Sequence, residues 1–358
     1  MGQFRKRMAA AAAGIIAAVA LAGCSHSMDN DAVVAEVGGE KISLGIANFY
    51  ARLQQAQFET YYAGLMGKTG EEMWAEEDGD GVTYEETTKK TILEELENIY
   101  MIKQHAADYG VELSEDDKKA IDKAANSFVE DNTLEDKEAV SGYEKVVKEF
   151  LELATIQNRM DKKMKEGVDE EVSDEEAAQK SMQYVLFSYT KTDEEGNSEE
   201  MTDEEKEALK GSAKEFADSL KNSEGHDLEA AAGEAGLEVQ TATFDSESTS
   251  PTEDLVKAAD ALENEGDVTD IVEANTGIYV AKLTSKLDRE ATDAKKESIV
   301  EERRNEQYDS LVEQWREETD IKEHKKVWKK VSFQDQGVTI KQSEEEYTDT
   351  PKDESNQE

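Results

Sequence analysis

One cysteine in 358 residues leaves nothing for a disulfide to form with inside the chain, so its fold must be held by its core alone. Proline is nearly missing as well. Two prolines among long Glu/Lys-rich stretches argue against the turn density of an all-β protein and for a predominantly helical one. The four histidines, His26, His105, His226 and His324, are scattered without ligand spacing, which points to no metal site. Neither a Ser-His-Asp hydrolase motif nor a phosphate-binding loop is present. Basic residues are scarce too, 41 Lys and Arg against 85 Asp and Glu, for a formal net charge of −44. Such a field repels nucleic acid and anionic lipid, so partners should be neutral or basic. The apolar run Met8–Ala20 is too short to span a bilayer as a permanent helix.

What that run does belong to is an ordered leader. Arg5, Lys6 and Arg7 precede it and Leu21-Ala22-Gly23-Cys24 closes it, the layout of a secretory signal. The closing four residues look like a bacterial lipobox. The expectation is a signal peptide over 1–23, a diacylglyceryl group on the thiol of Cys24, and a polar tether over 24–31. Two acyl chains anchor stably where one is marginal, which places the mature protein on the extracytoplasmic face of the cell membrane.

Beyond the tether, Val33, Ala35 and Val37 alternate with the other face up to Gly38-Gly39, which predicts a strand, a tight turn and a short second strand over Ala32–Ser43. Ile46, Phe49, Tyr50, Leu53 and Gln57 then recur at helical spacing, as do Ile92, Leu96, Ile99 and Tyr100. Ser114 with Asp117 reads as a capping box ahead of Ile121, Ala125 and Phe128, and Val146, Val147, Phe150, Leu151 and Ala154 mark a helix from about Tyr143 to Lys165. Amphipathic helices in a row imply a helical lobe. After Gly167 the texture changes. Ser173 with Glu176 is a capping signal; Met182–Ser188 is strand-like, Thr202 with Glu205 caps a helix, Leu237–Phe244 is strand-like, Asp254–Leu262 is a short helix, and Gly277–Leu283 alternates. That order reads as a small α+β domain. Ile299, Tyr308, Leu311, Val312 and Trp315 give a last helix over Asp288–Thr319, followed by a strand candidate at Lys330–Phe333 and a polar, acidic tail.

Several of these stretches also carry a resemblance. Val33-Val34-Ala35-Glu36-Val37-Gly38-Gly39-Glu40-Lys41-Ile42, Met182–Phe187, Asp227–Ala232, Leu255–Leu262, Gly266-Asp267-Val268-Thr269 and Gly277–Leu283 resemble, in order and spacing, the extracytoplasmic foldases of the PrsA and SurA type. In that family a parvulin-like (PpiC-type) peptidyl-prolyl isomerase domain is inserted into a helical chaperone lobe. The resemblance covers nearly the whole mature chain. It implies a mostly helical α+β fold, with the chaperone lobe over 32–168 and 288–340 and the parvulin-like domain over 169–287, while the polar composition of 341–358 predicts a disordered acidic tail. It implies no cofactor, and as partners unfolded or newly exported polypeptides, with no nucleic acid. The oligomeric state stays open, a homodimer being one option.

Isomerases of this family carry a histidine in the first strand and another in the last; here Tyr184 and Tyr279 stand at the matching positions and become the candidate catalytic residues. Leu255 and Asp260 occupy places where the family puts phenylalanines of its proline pocket, and Thr243–Ser248 replaces a glycine-rich segment. Isomerising an X-Pro bond needs no nucleophile, only a site that prefers the twisted amide, against a barrier of ~20 kcal/mol. A phenol both gives and accepts a hydrogen bond, so two tyrosines could replace two histidines. The favoured reading is that they are aromatic strand residues of a domain that has kept its fold and lost its activity. Three functions are therefore open: a membrane-anchored foldase with a degenerate isomerase domain, a working isomerase with an altered floor, and a solute-binding lipoprotein. The last fits least, because two α/β lobes would need repeated strand-helix alternation. Glu76, Asp78, Asp80 and Gly81 have part of a calcium-loop spacing, but Val82 and Thr87 break it, and an acidic connecting loop is the simpler reading.

Overall fold

The structure, a computed structural model, describes residues 18–20, 28–61, 65, 67–192, 198–334 and 338–340. Cys24 and the expected tail over 341–358 lie outside the described residues, as does most of the expected signal peptide. Two compact units divide the chain: one built from its ends, Met1–Gly167 with Asn305–Glu358, the other from its middle, Val168–Arg304. A short antiparallel pair joins β1 (Ala18–Ala20) to Val338–Ile340.

In the end-built unit, β2 (Val33–Val37) and β3 (Glu40–Ser43) form an antiparallel hairpin. Its turn residues Gly38 and Gly39 have φ of +55° and +84°. Positive φ at both central positions lets a two-residue turn follow the strand twist, and glycine adopts it without strain. The free edge of β2 takes the strand Ile321–Glu323, antiparallel, with Ile321 opposite Val37 and Glu323 opposite Ala35. The two ends of the chain thus share one sheet. The C-terminal strand expected at Lys330–Phe333 is not there; that stretch is irregular. The Val331 N–H turns back to the Trp328 carbonyl at 3.2 Å and the Phe333 N–H goes to Glu85 Oε1 at 2.9 Å, so neither is left for a ladder. The alternation of Val331 and Phe333 records burial in the core, not strand pairing.

Helix α1 (Leu44–Tyr61) starts where the Ser43 hydroxyl accepts from the Ile46 N–H. Every residue from Leu44 to Ala56 is buried, as befits a helix packed on all sides. Two of its buried polar side chains bond to distant parts of the unit. Asn48 Nδ2 donates to Ser141 Oγ at 2.9 Å and to the Ala139 carbonyl at 3.2 Å, and Gln55 Nε2 donates to the Phe333 carbonyl at 3.2 Å. The unit also contains α2 (Gly70–Trp74), α3 (Tyr84–Gln104), α4 (Glu115–Asp131), α5 (Leu134–Val140) and α6 (Glu144–Met164). Phe49 of α1 meets Phe128 of α4 and Phe150 of α6 edge-on, at 5.5 and 5.3 Å between ring centroids. The tether is shorter than the expected 24–31. Met28 packs against the core, the Asn30 carbonyl accepts from the Gly45 N–H at 3.0 Å, and Asn30 Oδ1 accepts from Ser141 Oγ at 2.7 Å, which holds the chain from Met28 onward.

The middle unit is a four-stranded antiparallel sheet. Its strands are β4 (Lys180–Ser188), β7 (Gln240–Phe244), β8 (Val272–Ala274) and β9 (Gly277–Ser285), in the order β7-β4-β9-β8. A separate pair, β5 (Thr190–Thr192) and β6 (Ser198–Glu200), follows β4. Period-two alternation sorts the side chains. Val185, Phe187, Ile278 and Val280 meet Ala213, Ala217 and Leu220 of α7 (Asp203–Asn222) and Leu228 and Ala232 of α8 (Leu228–Ala235). Met182, Tyr184, Tyr279, Ala281 and Leu283 meet Leu255, Val256 and Ala259 of α9 (Glu253–Asp260). Helices thus cover both faces, and the chain is α+β and mostly helical. The Ser173–Glu176 pattern closes only a turn, with the Glu176 N–H on Ser173 Oγ at 3.1 Å. The unit runs past the expected boundary at 287 into α10 (Arg289–Glu318), because Arg289 and Lys296 pair with Asp174, Arg303 with Glu176 and Arg304 with Glu170.

Candidate functional site

Tyr184 and Tyr279 come from the two central strands of the middle unit, β4 and β9. Tyr184 stands opposite Ala281 and Tyr279 opposite Leu186, which makes the two tyrosines diagonal neighbours on the face covered by α9. Their ring centroids lie 6.0 Å apart at 47°. Both are buried, 8% and 5% exposed. Their hydroxyls engage different partners: Tyr184 Oη donates to Gln240 Oε1 of β7 at 2.6 Å, and Tyr279 Oη lies 2.9 Å from Thr276 Oγ1 in the turn before β9. Burial pushes the Tyr184 hydroxyl above the ordinary phenol range, with nearby Tyr279 adding to it, so it stays a neutral donor at physiological pH.

Gly277 sets the approach of the two strands. It has φ of +151°, and a Cβ there would sit 2.2 Å from the Phe187 carbonyl oxygen. Only glycine lets β9 begin this close to β4, two residues ahead of Tyr279.

Leu255 is fully buried against the tyrosines. Asp260 is not part of that cluster; its carboxylate pairs with Lys180 at 2.9 Å and its side chain is 40% exposed. The Thr243–Ser248 stretch ends β7 in a closed polar turn, with Asp245 Oδ1 accepting from Ser248 Oγ at 2.9 Å and from the Glu247 N–H at 3.0 Å. Gln240 and Thr276, the hydroxyl partners, carry no sequence signal of their own. The register of β4 on β7, which sets Tyr184 directly opposite Gln240, is what makes Gln240 a partner.

Other candidates resolve into structure. Asp78 Oδ1 accepts the N–H groups of Asp80 and Val82 at 2.9 and 3.0 Å, so the acidic loop uses that carboxylate to shape itself. His105 stacks on Trp315 at 4.1 Å, His226 Nδ1 lies 2.8 Å from the Gly266 carbonyl, and His324 lies 3.7 Å from Glu36. Among the described residues, no helix is long and apolar enough to cross a membrane.

No protein-family model matches this chain, and no match was found among curated protein sequences. Its neighbours among solved structures are PrsA- and SurA-like foldase chaperones. The foldase PrsA of Streptococcus pneumoniae is 21% identical, with 72% of this chain and 97% of that chain covered and a TM-score of 0.30. The PrsA of Lactococcus lactis is 14% identical over 83% of this chain and 96% of that chain, with a TM-score of 0.35. A SurA-like chaperone of Campylobacter jejuni is 13% identical over 82% of this chain and 98% of that chain, with a TM-score of 0.28.

Proposed function

We propose that this protein is a lipid-anchored extracytoplasmic foldase that holds unfolded or newly exported polypeptides, and that its middle unit is a parvulin-like domain without appreciable isomerase activity. The observation that carries the reading is the closed tyrosine pair. An isomerase needs a dry slot for the proline ring and a donor aimed at the twisted amide. Here Leu255 and Val256 pack over the face where that slot would lie, and both hydroxyls are already engaged. A proline ring would have to displace α9 and break those hydrogen bonds. Binding is then the main activity, carried by the helical lobe. A lobe assembled from the two ends of the chain, with the α+β unit between them in sequence, supports the same reading.

A second reading, a working isomerase, is favoured by the shared face of Tyr184 and Tyr279. Two assays separate them. Refolding of a protein limited by an X-Pro bond takes tens to hundreds of seconds uncatalysed, so even modest catalysis registers. The expected result is suppressed aggregation of an unfolded client with an unchanged slow refolding phase. Acceleration that disappears in Tyr184→Phe or Tyr279→Phe would make the tyrosines catalytic. Neither suppression nor acceleration would remove the foldase reading and leave the solute-binding one.

A further inference from the structure

Charge in this chain is distributed unevenly. Residues 321–330 hold five lysines, Lys322, Lys325, Lys326, Lys329 and Lys330, against one acid, Glu323, in a chain of net charge −44. All five are exposed. Lys322 pairs with Asp320 at 2.8 Å and Lys325 with Glu323 at 3.7 Å, whereas Lys326, Lys329 and Lys330 have no ion-pair partner among the described residues. They ride on α11 (Lys325–Trp328) and the residues after it, pinned by the buried Trp328. Lys89 and Lys90 of α3 line the same groove of about 650 Å³ as Lys325 and Lys329, with Glu85, Glu86 and Glu323 as its acids.

Strand direction places these lysines. The strand Ile321–Glu323, β10, runs antiparallel to β2, with Glu323 opposite Ala35 and the His324 N–H on the Val34 carbonyl at 2.7 Å. Past Glu323 the chain therefore heads for the start of β2, the end of the sheet from which residues lead back through Met28. Only Ser25, His26 and Ser27 separate Met28 from Cys24. At ~3.5 Å per residue that is a reach of roughly 14 Å. Asp29 and Asp31 are exposed at the same end, and Asp29 Oδ1 accepts from the Asp31 N–H at 3.3 Å.

We infer that the lysine face around α11 docks on anionic lipid headgroups and so fixes how the end-built unit stands on the membrane, an inference that rests on lipid attachment at Cys24. A headgroup field decays over about 8–10 Å, so only charges held close to the anchor feel it. The chain as a whole is repelled by such a surface. An anchor alone leaves the unit free to roll, and attraction at this end together with repulsion of the acidic remainder selects one orientation.

Cys24 is the only cysteine, so the mature chain can be coupled through its thiol to a maleimide lipid whatever happens to that residue in cells. Lysine acetylation is then read by mass spectrometry on vesicles of phosphatidylcholine, with and without phosphatidylglycerol. Lys325, Lys326, Lys329 and Lys330 should label several-fold more slowly on the phosphatidylglycerol vesicles, and the protection should vanish at about 0.5 M salt. Lys123 and Lys145, exposed on α4 and α6, should label alike on both. In the variant Lys326→Glu with Lys329→Glu and Lys330→Glu, Lys325 should lose its protection. Equal labelling of the four lysines on the two vesicle types overturns the inference. Protection by a soluble acidic peptide but not by phosphatidylglycerol also overturns it, and makes the face a client surface. A membrane-bound, processed Cys24→Ser protein in cells would instead remove the anchor reading and leave the vesicle result standing.

Discussion

Arg316 sets its guanidinium 2.7 Å from the carboxylate of Glu97, whose side chain has no exposed surface. The other guanidinium nitrogen reaches Asn98 Oδ1 at 2.7 Å, while Glu97 Oε1 has no hydrogen-bond partner among the described residues. Burial pushes the Glu97 carboxyl above the ordinary glutamate range, and Arg316 only partly offsets it. Arg316→Met should cost roughly 2–3 kcal/mol, less than for a fully buried pair because a third of Arg316 stays in water. A carboxyl whose folded pKa is raised suits the fold best when protonated, and its penalty grows as pH rises from the unfolded value through the folded one. Urea unfolding should therefore show a larger loss for Arg316→Met at pH 8 than at pH 5; an equal or smaller loss at pH 8 would refute this account.

Phe333 ties the C-terminal stretch to the core of the end-built unit. Its ring lies 4.8 Å from that of Trp74 and 5.9 Å from the Arg52 guanidinium, and it is 1% exposed. Phe333→Ala should destabilise the protein by about 3–5 kcal/mol and shift the Trp74 emission to the red. A loss below about 1 kcal/mol would mean that the core closes without this residue.

In the middle unit, Thr202 and Glu205 form a capping box at the start of α7. Lys191, and then Thr202, hold the Glu205 carboxyl down at about 2. The stability that this adds is present above the ordinary glutamate range and fades as pH falls through about 2. Thr202→Ala should cost about 1 kcal/mol through the lost cap. An NMR titration should find the Glu205 carboxyl of that variant moved up; an unmoved midpoint would assign the depression to Lys191 alone.

The proposed membrane attachment has a direct check. Cys24→Ser should release the protein from the membrane fraction or block its processing, as the charged start, apolar run and small-residue closure imply.

Much of this architecture was legible in the sequence where a local rule was at work. Gly38-Gly39 announced a hairpin because few other residues take that turn, and Ser114 with Asp117 and Thr202 with Glu205 announced helix starts through hydrogen bonds confined to four residues. Strand character over Met182–Ser188 and alternation over Gly277–Leu283 marked the two strands, while Tyr184 and Tyr279 stood out only through the family resemblance. Thr133 with Asp136, the capping box of α5, carries the same signal. What stayed hidden was non-local. Ile321–Glu323 pairs through its backbone and holds a single apolar residue, so nothing in its side chains marks a strand, whereas the buried Val331 and Phe333 imitate one. The hydrogen bond from Tyr184 to Gln240 follows from strand register, which the sequence does not print.

The pairing of β2 with β10 bears on the order in which the protein can be made. A chain emerges from its N-terminus, so β2 waits without its edge partner until residue 323 has been made, while every strand of the middle unit lies within Val168–Arg304. The middle unit has all its parts first. Once it has folded, it brings residues 167 and 305 to a fixed separation, and closing the remaining loop costs less entropy than closing a free chain of that length. Until then Val34 and Val37, fully buried in the finished protein, lack their pairing with His324 and Ile321. For the length of its own synthesis the protein is thus a chain with an open sheet edge.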